Sequence, residues 1–117
     1  MSQYVVTGAA GFIGSQVTAA LLKKGHQVLG IDNLSPAYDV RMKHHRLEAL
    51  LSQPGFSHIQ ADIADTAVID LLSDQAPQPA ALINLAAMAG VRQSASDPWS
   101  YLSTNTLGTL NMLEYAR

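Results

Sequence analysis

Three glycines spaced three apart, Gly8, Gly11 and Gly14, separate a β-branched and aromatic run, Tyr4–Thr7, from an apolar-periodic stretch that begins at Phe12. Each has a physical use at a strand-to-helix turn. The first permits a tight turn without a Cβ clash, the second lets backbone approach a ligand, and the third lets the helix pack closely on the strand. Together with the N–H groups of a helix N-terminus, such a loop can cradle a dinucleotide pyrophosphate. The spacing is G-x-x-G-x-x-G, and by itself it equally suits a connection that needs positive φ. Asp32 closes the next β-type run, roughly 20 residues beyond the loop. A carboxylate there accepts hydrogen bonds from ribose hydroxyls and repels a 2′-phosphate, which favours NAD over NADP. Its alternative is a loop aspartate beside Asn33. Asp62 and Ile63 follow the third apolar run, where the aspartate and the next backbone N–H can reach adenine. Asp62 also suits a helix cap, with Asp65 three residues on.

Groups for other chemistry are sparse. Ser94 and Ser96 have no neighbouring base, so nucleophilic catalysis is not supported. His44 and His45 are adjacent, so they cannot share one helix face as a metal pair. With Arg41, Lys43 and Arg46 they read as a solvated face, and no metal site is expected. There is no cysteine, hence no disulfide and no thiolate ligand.

The elements that must position these residues alternate. Strands are expected at Tyr4–Thr7, Gln27–Ile31, Phe56–Ala61 and Ala80–Leu85. Helices are expected at Phe12–Lys24, Asp39–Ser52, Ala64–Gln75 and from Asp97-Pro98 through Leu102, Leu110 and Leu113 towards Arg117. The inward residues read as Ile13, Val17, Ala20 and Leu21 on the first helix. On the second they are Val40, Leu47, Leu50 and Leu51, and on the third Val68, Leu71 and Leu72. The fourth strand is apolar at nearly every position, the pattern of burial on both faces of a parallel sheet. Four strand–helix units imply α/β architecture: the N-terminal half of a Rossmann doubly wound parallel sheet, order 3-2-1-4. In that order "AALINLA" becomes an open, apolar edge, and self-association or aggregation through it is expected.

The chain has 117 residues, 48% hydrophobic and 14% charged, with net charge −2. That suits one domain with an ample core and gives no footprint for nucleic acid. No run is long enough to span a bilayer and no signal-peptide pattern opens the chain, so a cytoplasmic location is expected.

"TGAAGFIGS", "GIDNL", "ADIAD", "NLAAMAGVRQS" and "STNTLGTLNMLEYAR" occur in that order. Together they resemble the extended short-chain dehydrogenase/reductase superfamily, in its NAD-dependent epimerase/dehydratase group. Within that group, "IDNLSPAYDVRMKHHRLEAL" and "AGVR" look like nucleotide-sugar 4-epimerases acting on uronic acids. The resemblance covers essentially the whole chain. It implies NAD as cofactor and a UDP-sugar as substrate of the full-length enzyme. It also implies that Gly8, Gly11, Phe12, Ile13 and Gly14 line the pyrophosphate and that Asp32 and Asn33 hold the adenosine ribose. Asp62 and Ile63 would flank adenine, with Leu85, Ala86 and Ala87 beside the middle of the cofactor. Asn105 would brace the site, and Arg92 would border the sugar-nucleotide pocket. Relatives usually carry His at Asn84 and Gln at Met88. An asparagine can replace a histidine hydrogen bond, but methionine cannot replace an amide.

In such enzymes NAD oxidises C4 of the sugar transiently, a tyrosine serves as base, and a lysine four residues later lowers its pKa. The four tyrosines here, Tyr4, Tyr38, Tyr101 and Tyr115, lack that lysine. No catalytic residue is therefore expected on this chain. Residues 1–117 read as an incomplete NAD(P)-binding Rossmann domain whose nucleotide-sugar domain is absent. The alternatives are a non-catalytic NAD-binding module, or a fragment of a 4,6-dehydratase or decarboxylase.

Overall fold

The computed structural model describes residues 2–34, 40–86 and 97–117. Within them the chain runs β1 (Gln3–Thr7), α1 (Phe12–Lys23), β2 (Gln27–Asp32), α2 (Val40–Leu51), β3 (Phe56–Gln60), α3 (Ala67–Gln75) and β4 (Ala81–Asn84). Three consecutive helical pieces follow: α4 (Pro98–Leu102), a π-helical turn (Ser103–Leu107) and α5 (Gly108–Ala116). The strands form one parallel sheet in the order β3-β2-β1-β4. The expected architecture and strand order are therefore the observed ones.

Side chains alternate along β1 and β2, and this divides the core between the two sheet faces. Val5, Leu29 and Ile31 pack with Ile63, Val68, Leu72, Ala76 and Met112, beneath α3 and α5. Val6 and Val28 pack with Ala9 and with half-buried Leu21, Leu22, Phe56 and Ile83, on the side of α1 and α2.

Helix faces depart from the expected stripes. On α1 the buried residues are Gly14 and Thr18, while Ile13 is exposed. A glycine can meet the sheet more closely than isoleucine can, and this rotates the contact face by one position. On α2, Leu47 and Leu50 are buried as expected, whereas Leu51 is exposed and Lys43 is buried in its place. The side chain of Val40 lies outside the described residues. On α3, Val68 and Leu72 are inward, but Leu71 is exposed.

The last helix is not uniform. The π-turn changes its phase, and Leu102, Leu107, Leu110 and Leu113 face solvent, while Gly108, Asn111 and Met112 are buried. Strand β4 also corrects the expectation of burial on both faces. Ala81 is exposed and Leu82, Ile83 and Asn84 are only half-buried. β4 pairs with β1 on one side, and among the described residues no strand adjoins its other side.

Candidate functional site

The glycine loop connects β1 to α1 at the carboxyl end of the sheet. Gly8 has φ of 70°, and a Cβ there would come within 2.9 Å of backbone atoms of Leu85 and Ala86. A Cβ on Gly14 would lie 1.9 Å from the carbonyl oxygen of Gly8. The first and third glycines thus have the roles assigned from sequence, a left-handed turn and a close helix–strand approach. Gly11 is extended (φ −73°, ψ 173°) and is the N-cap residue of α1. Its N–H donates to the carbonyl of Gly8 at 3.0 Å. No side chain caps α1 and no acidic residue sits in its first turn. The amides of Phe12, Ile13 and Gly14 therefore open a helix N-terminus suited to an anion. The side chains of Phe12 and Ile13 flank it, 68% and 63% exposed.

Asp32 ends β2, and it is buried, not a solvated loop residue. Its Oδ2 accepts the N–H of Ala10 at 3.1 Å, and its Oδ1 accepts the N–H of Leu34 at 2.7 Å. The Lys43 ammonium lies 3.3 Å from the same Oδ1. The carboxylate thereby joins the glycine loop, the turn after β2 and helix α2. That turn is tight: Leu34 adopts φ of 56°, a left-handed conformation that costs a non-glycine residue on the order of 1 kcal/mol. One turn further along α2, Arg46 donates to the carbonyl of Ala10 at 3.4 Å and lies over the Phe12 ring, 5.8 Å from its centroid. By local sequence Lys43 and Arg46 belong to a solvated face; in the structure they contact Asp32 and the glycine loop. The available signal was their spacing of three, which puts both on one side of the next helix after Asp32.

The end of β4 meets the loop from the other side. Buried Thr7 donates to Asn84 Oδ1, and its Oγ1 accepts the N–H groups of Leu85 and Ala86 at 3.0 and 3.1 Å. Asn84 Nδ2 donates onward to Thr109 Oγ1 at 3.3 Å, and the Thr109 hydroxyl donates to the carbonyl of Asn105 at 2.9 Å. Asn84 therefore acts as a bridge between β1 and α5, a role its sequence position did not disclose. Asn105 is exposed in the π-turn and enters this chain through its backbone.

Asp62 accepts the N–H of Ala64 at 2.9 Å, a local turn ahead of α3 and not the helix cap its position suggested, since the N-cap residue of α3 is Thr66. Asp65 does the same for Ala67 at 3.0 Å. The side chain of Ile63 is buried in the core, and its carbonyl accepts Asn111 Nδ2 at 2.7 Å. The structure thus brings Gly8, Gly14, Asp32, Leu85 and Ala86 together at one sheet end. Asn33 is exposed beside Asp32. Ala87, Met88, Arg92, Ser94, Ser96 and Tyr38 lie outside the described residues. Among those described, no cluster of three His, Cys, Asp or Glu residues could hold a metal, and no helix is long and apolar enough to cross a membrane.

His58 on β3 is half-buried. Desolvation holds its imidazole below the ordinary value of 6.5, and the Asp32 carboxylate opposes that shift.

A parallel sheet with a glycine-rich first turn and an acid ending the second strand defines a doubly wound α/β domain of the dinucleotide-binding type. Comparison with known proteins narrows this. The profile of the GDP-mannose 4,6 dehydratase family matches residues 5–117, and the chain belongs to that family, in the NAD-dependent epimerase/dehydratase group. It is 46% identical over 114 residues to a UDP-glucuronate 4-epimerase of Thermodesulfobacterium geofontis, covering 97% of this chain and 35% of that protein. A crystal structure of UDP-glucuronic acid 4-epimerase from Bacillus cereus, in complex with UDP-glucuronic acid and NAD, superposes with a TM-score of 0.84. It shares 36% identity, covering 97% of this chain and 35% of that one. UDP-glucose 4-epimerase from Thermotoga maritima, solved with UDP-glucose, gives a TM-score of 0.80 at 30% identity, covering 97% and 33%. The chain therefore spans close to one third of the length of these relatives, in their N-terminal part.

Proposed function

We propose that this chain is the NAD-binding part of a nucleotide-sugar epimerase, acting in its full-length form on a UDP-uronate by transient oxidation at C4. The observation that carries this reading is the convergence at one sheet end of an uncapped helix N-terminus, Gly8 against Leu85 and Ala86, and Asp32 beside the loop. The pyrophosphate would lie on the amides of Phe12, Ile13 and Gly14, beside Gly8 and Gly11. The adenosine ribose would lie by Asp32 and Asn33, and adenine by Asp62 and Ile63. Leu85, Ala86 and Ala87 would run along the middle of the cofactor, with Asn105 bracing and Arg92 bordering the sugar. NAD supplies hydride transfer when bound; this chain's residues bind and orient it. The Tyr-x-x-x-Lys pair and the sugar domain would lie outside these residues.

The sequence identity to UDP-glucuronate 4-epimerases favours epimerisation. The family's own description favours a 4,6-dehydratase as the second reading. The two differ in product: an epimer retains its 6-carbon oxidation state, whereas a dehydratase releases water and leaves a 4-keto sugar. Calorimetric titration of the chain with NAD tests the common part, and saturable one-to-one binding is expected. Absence of binding at millimolar NAD would overturn it. The reading also includes a cytoplasmic location, testable by cell fractionation. It further includes self-association through the side of β4 that no described strand adjoins, testable by sedimentation velocity. A monomer at every concentration would remove the latter.

A further inference from the structure

Asp32 does not meet the ribose site as a bare charge. Its Oδ1 carries the Lys43 ammonium at 3.3 Å, and both side chains are withdrawn from solvent, at 10% and 3% exposure. The same carboxylate holds Ala10 of the glycine loop and Leu34 of the following turn through their amides. Arg46, on the same side of α2, reaches the loop at the carbonyl of Ala10. The aspartate that ends β2 is thus one half of a buried ion pair, and the second half comes from a residue of α2 that local sequence places on a solvated face.

We propose that Lys43 is a positioning and specificity-determining residue, setting the discrimination between NAD and its 2′-phosphorylated form jointly with Asp32. This rests on the dinucleotide reading above. Two physical effects combine. Pairing fixes the carboxylate orientation in which Oδ2 faces the Ala10 amide. It also offsets much of the negative field that a ribose phosphate would meet, because an ammonium a few ångströms away in a poorly solvated site is weakly screened. Asp32 alone would reject the phosphate strongly; the pair rejects it less.

The test measures the affinities of NAD and NADP for the chain by calorimetry, in wild type, Lys43→Met and Lys43→Arg. Amide exchange at Ala10 and Leu34 is followed in the same proteins. Lys43→Met is expected to raise the preference for NAD over NADP by on the order of tenfold, the effect of one partly screened charge. Exchange at Ala10 and Leu34 is expected to quicken, while the central strands keep their protection. Lys43→Arg retains the charge and is expected to keep the wild-type ratio. A merely structural lysine would weaken both ligands equally, so an unchanged ratio in Lys43→Met overturns the proposal while leaving NAD binding intact. A wild-type chain that binds neither dinucleotide overturns the dinucleotide reading, and this inference with it. If Lys43→Met fails to fold, a wild-type ratio in Lys43→Arg together with an altered one in Lys43→Gln supports the proposal. Equal ratios in those two variants overturn it.

Discussion

The carboxyl ends of β1 and β2 and the region formed by β4 and α5 are built on different terms. At β1 and β2 each strand has a neighbour on both sides. Val5, Val6 and Ile31 are fully buried, and Asp32 ties the glycine loop after β1 to the turn after β2 and to α2. At β4 one edge is unpaired among the described residues, and the strand is only half-buried despite its apolar sequence. Leu107, Leu110 and Leu113 add an exposed apolar row on the adjoining helix. An apolar run therefore records a capacity for burial; whether it is buried depends on what stands next to it.

The contrast can be broken first at Gly14. A methyl group there would occupy the space of the Gly8 carbonyl, and backbone cannot yield as a flexible side chain can. Gly14→Ala is expected to destabilise the chain by roughly 3 kcal/mol or more, read as a fall in the urea midpoint. Stability equal to wild type would mean that α1 is not fixed by this approach. Next comes Asp32→Ala, which removes an acceptor shared by Ala10, Leu34 and Lys43. It should cost roughly 2–3 kcal/mol of stability and weaken NAD binding by about 1–3 kcal/mol. Unaltered NAD affinity by calorimetry would sink the ribose assignment.

A smaller effect belongs to His58. Its folded-state pKa lies below the unfolded value of 6.5, so in that interval the unfolded chain binds more protons. The contribution to stability is fully present above about pH 6.5 and declines as pH falls towards the folded value. Comparison of urea midpoints at about pH 7.5 and about pH 5.5 should show a steeper loss in wild type than in His58→Gln. Parallel losses in the two proteins would assign the pH dependence elsewhere. Smallest of all, Leu113→Gln on the exposed row should change stability by less than about 0.5 kcal/mol. A larger loss would show that this face is covered in the folded chain, and the difference between the two regions would shrink accordingly.

Much of this architecture was legible in advance. The four strands and the glycine turn follow from local pattern: β-branched runs, helical periodicity and residues placed where only glycine fits; the strand order follows from the Rossmann class to which they point. The helix faces were less legible. Hydrophobic periodicity pointed to Leu47 and Leu50, which are buried, but also to Ile13, Leu51 and Leu71, which are exposed, while polar Thr18 on α1 and Lys43 on α2 are buried. A threonine or a lysine stem can be buried where a partner or a close approach exists, and no window of sequence contains that partner. The π-turn at Ser103–Leu107 was hidden for a similar reason, since its residues are ordinary helix formers and only the phase of the backbone differs.

The sequence by itself determined the class of the chain and the position of the loop and of Asp32, because these depend on residue types at fixed local spacings. Only the tertiary structure decided what Asp32 is joined to, how Thr7 and Asn84 link β1 to β4 and α5, and which apolar side chains remain in water. Those outcomes depend on contacts between residues far apart in the chain. Their energies exist only once the sheet has brought the partners within a few ångströms of each other.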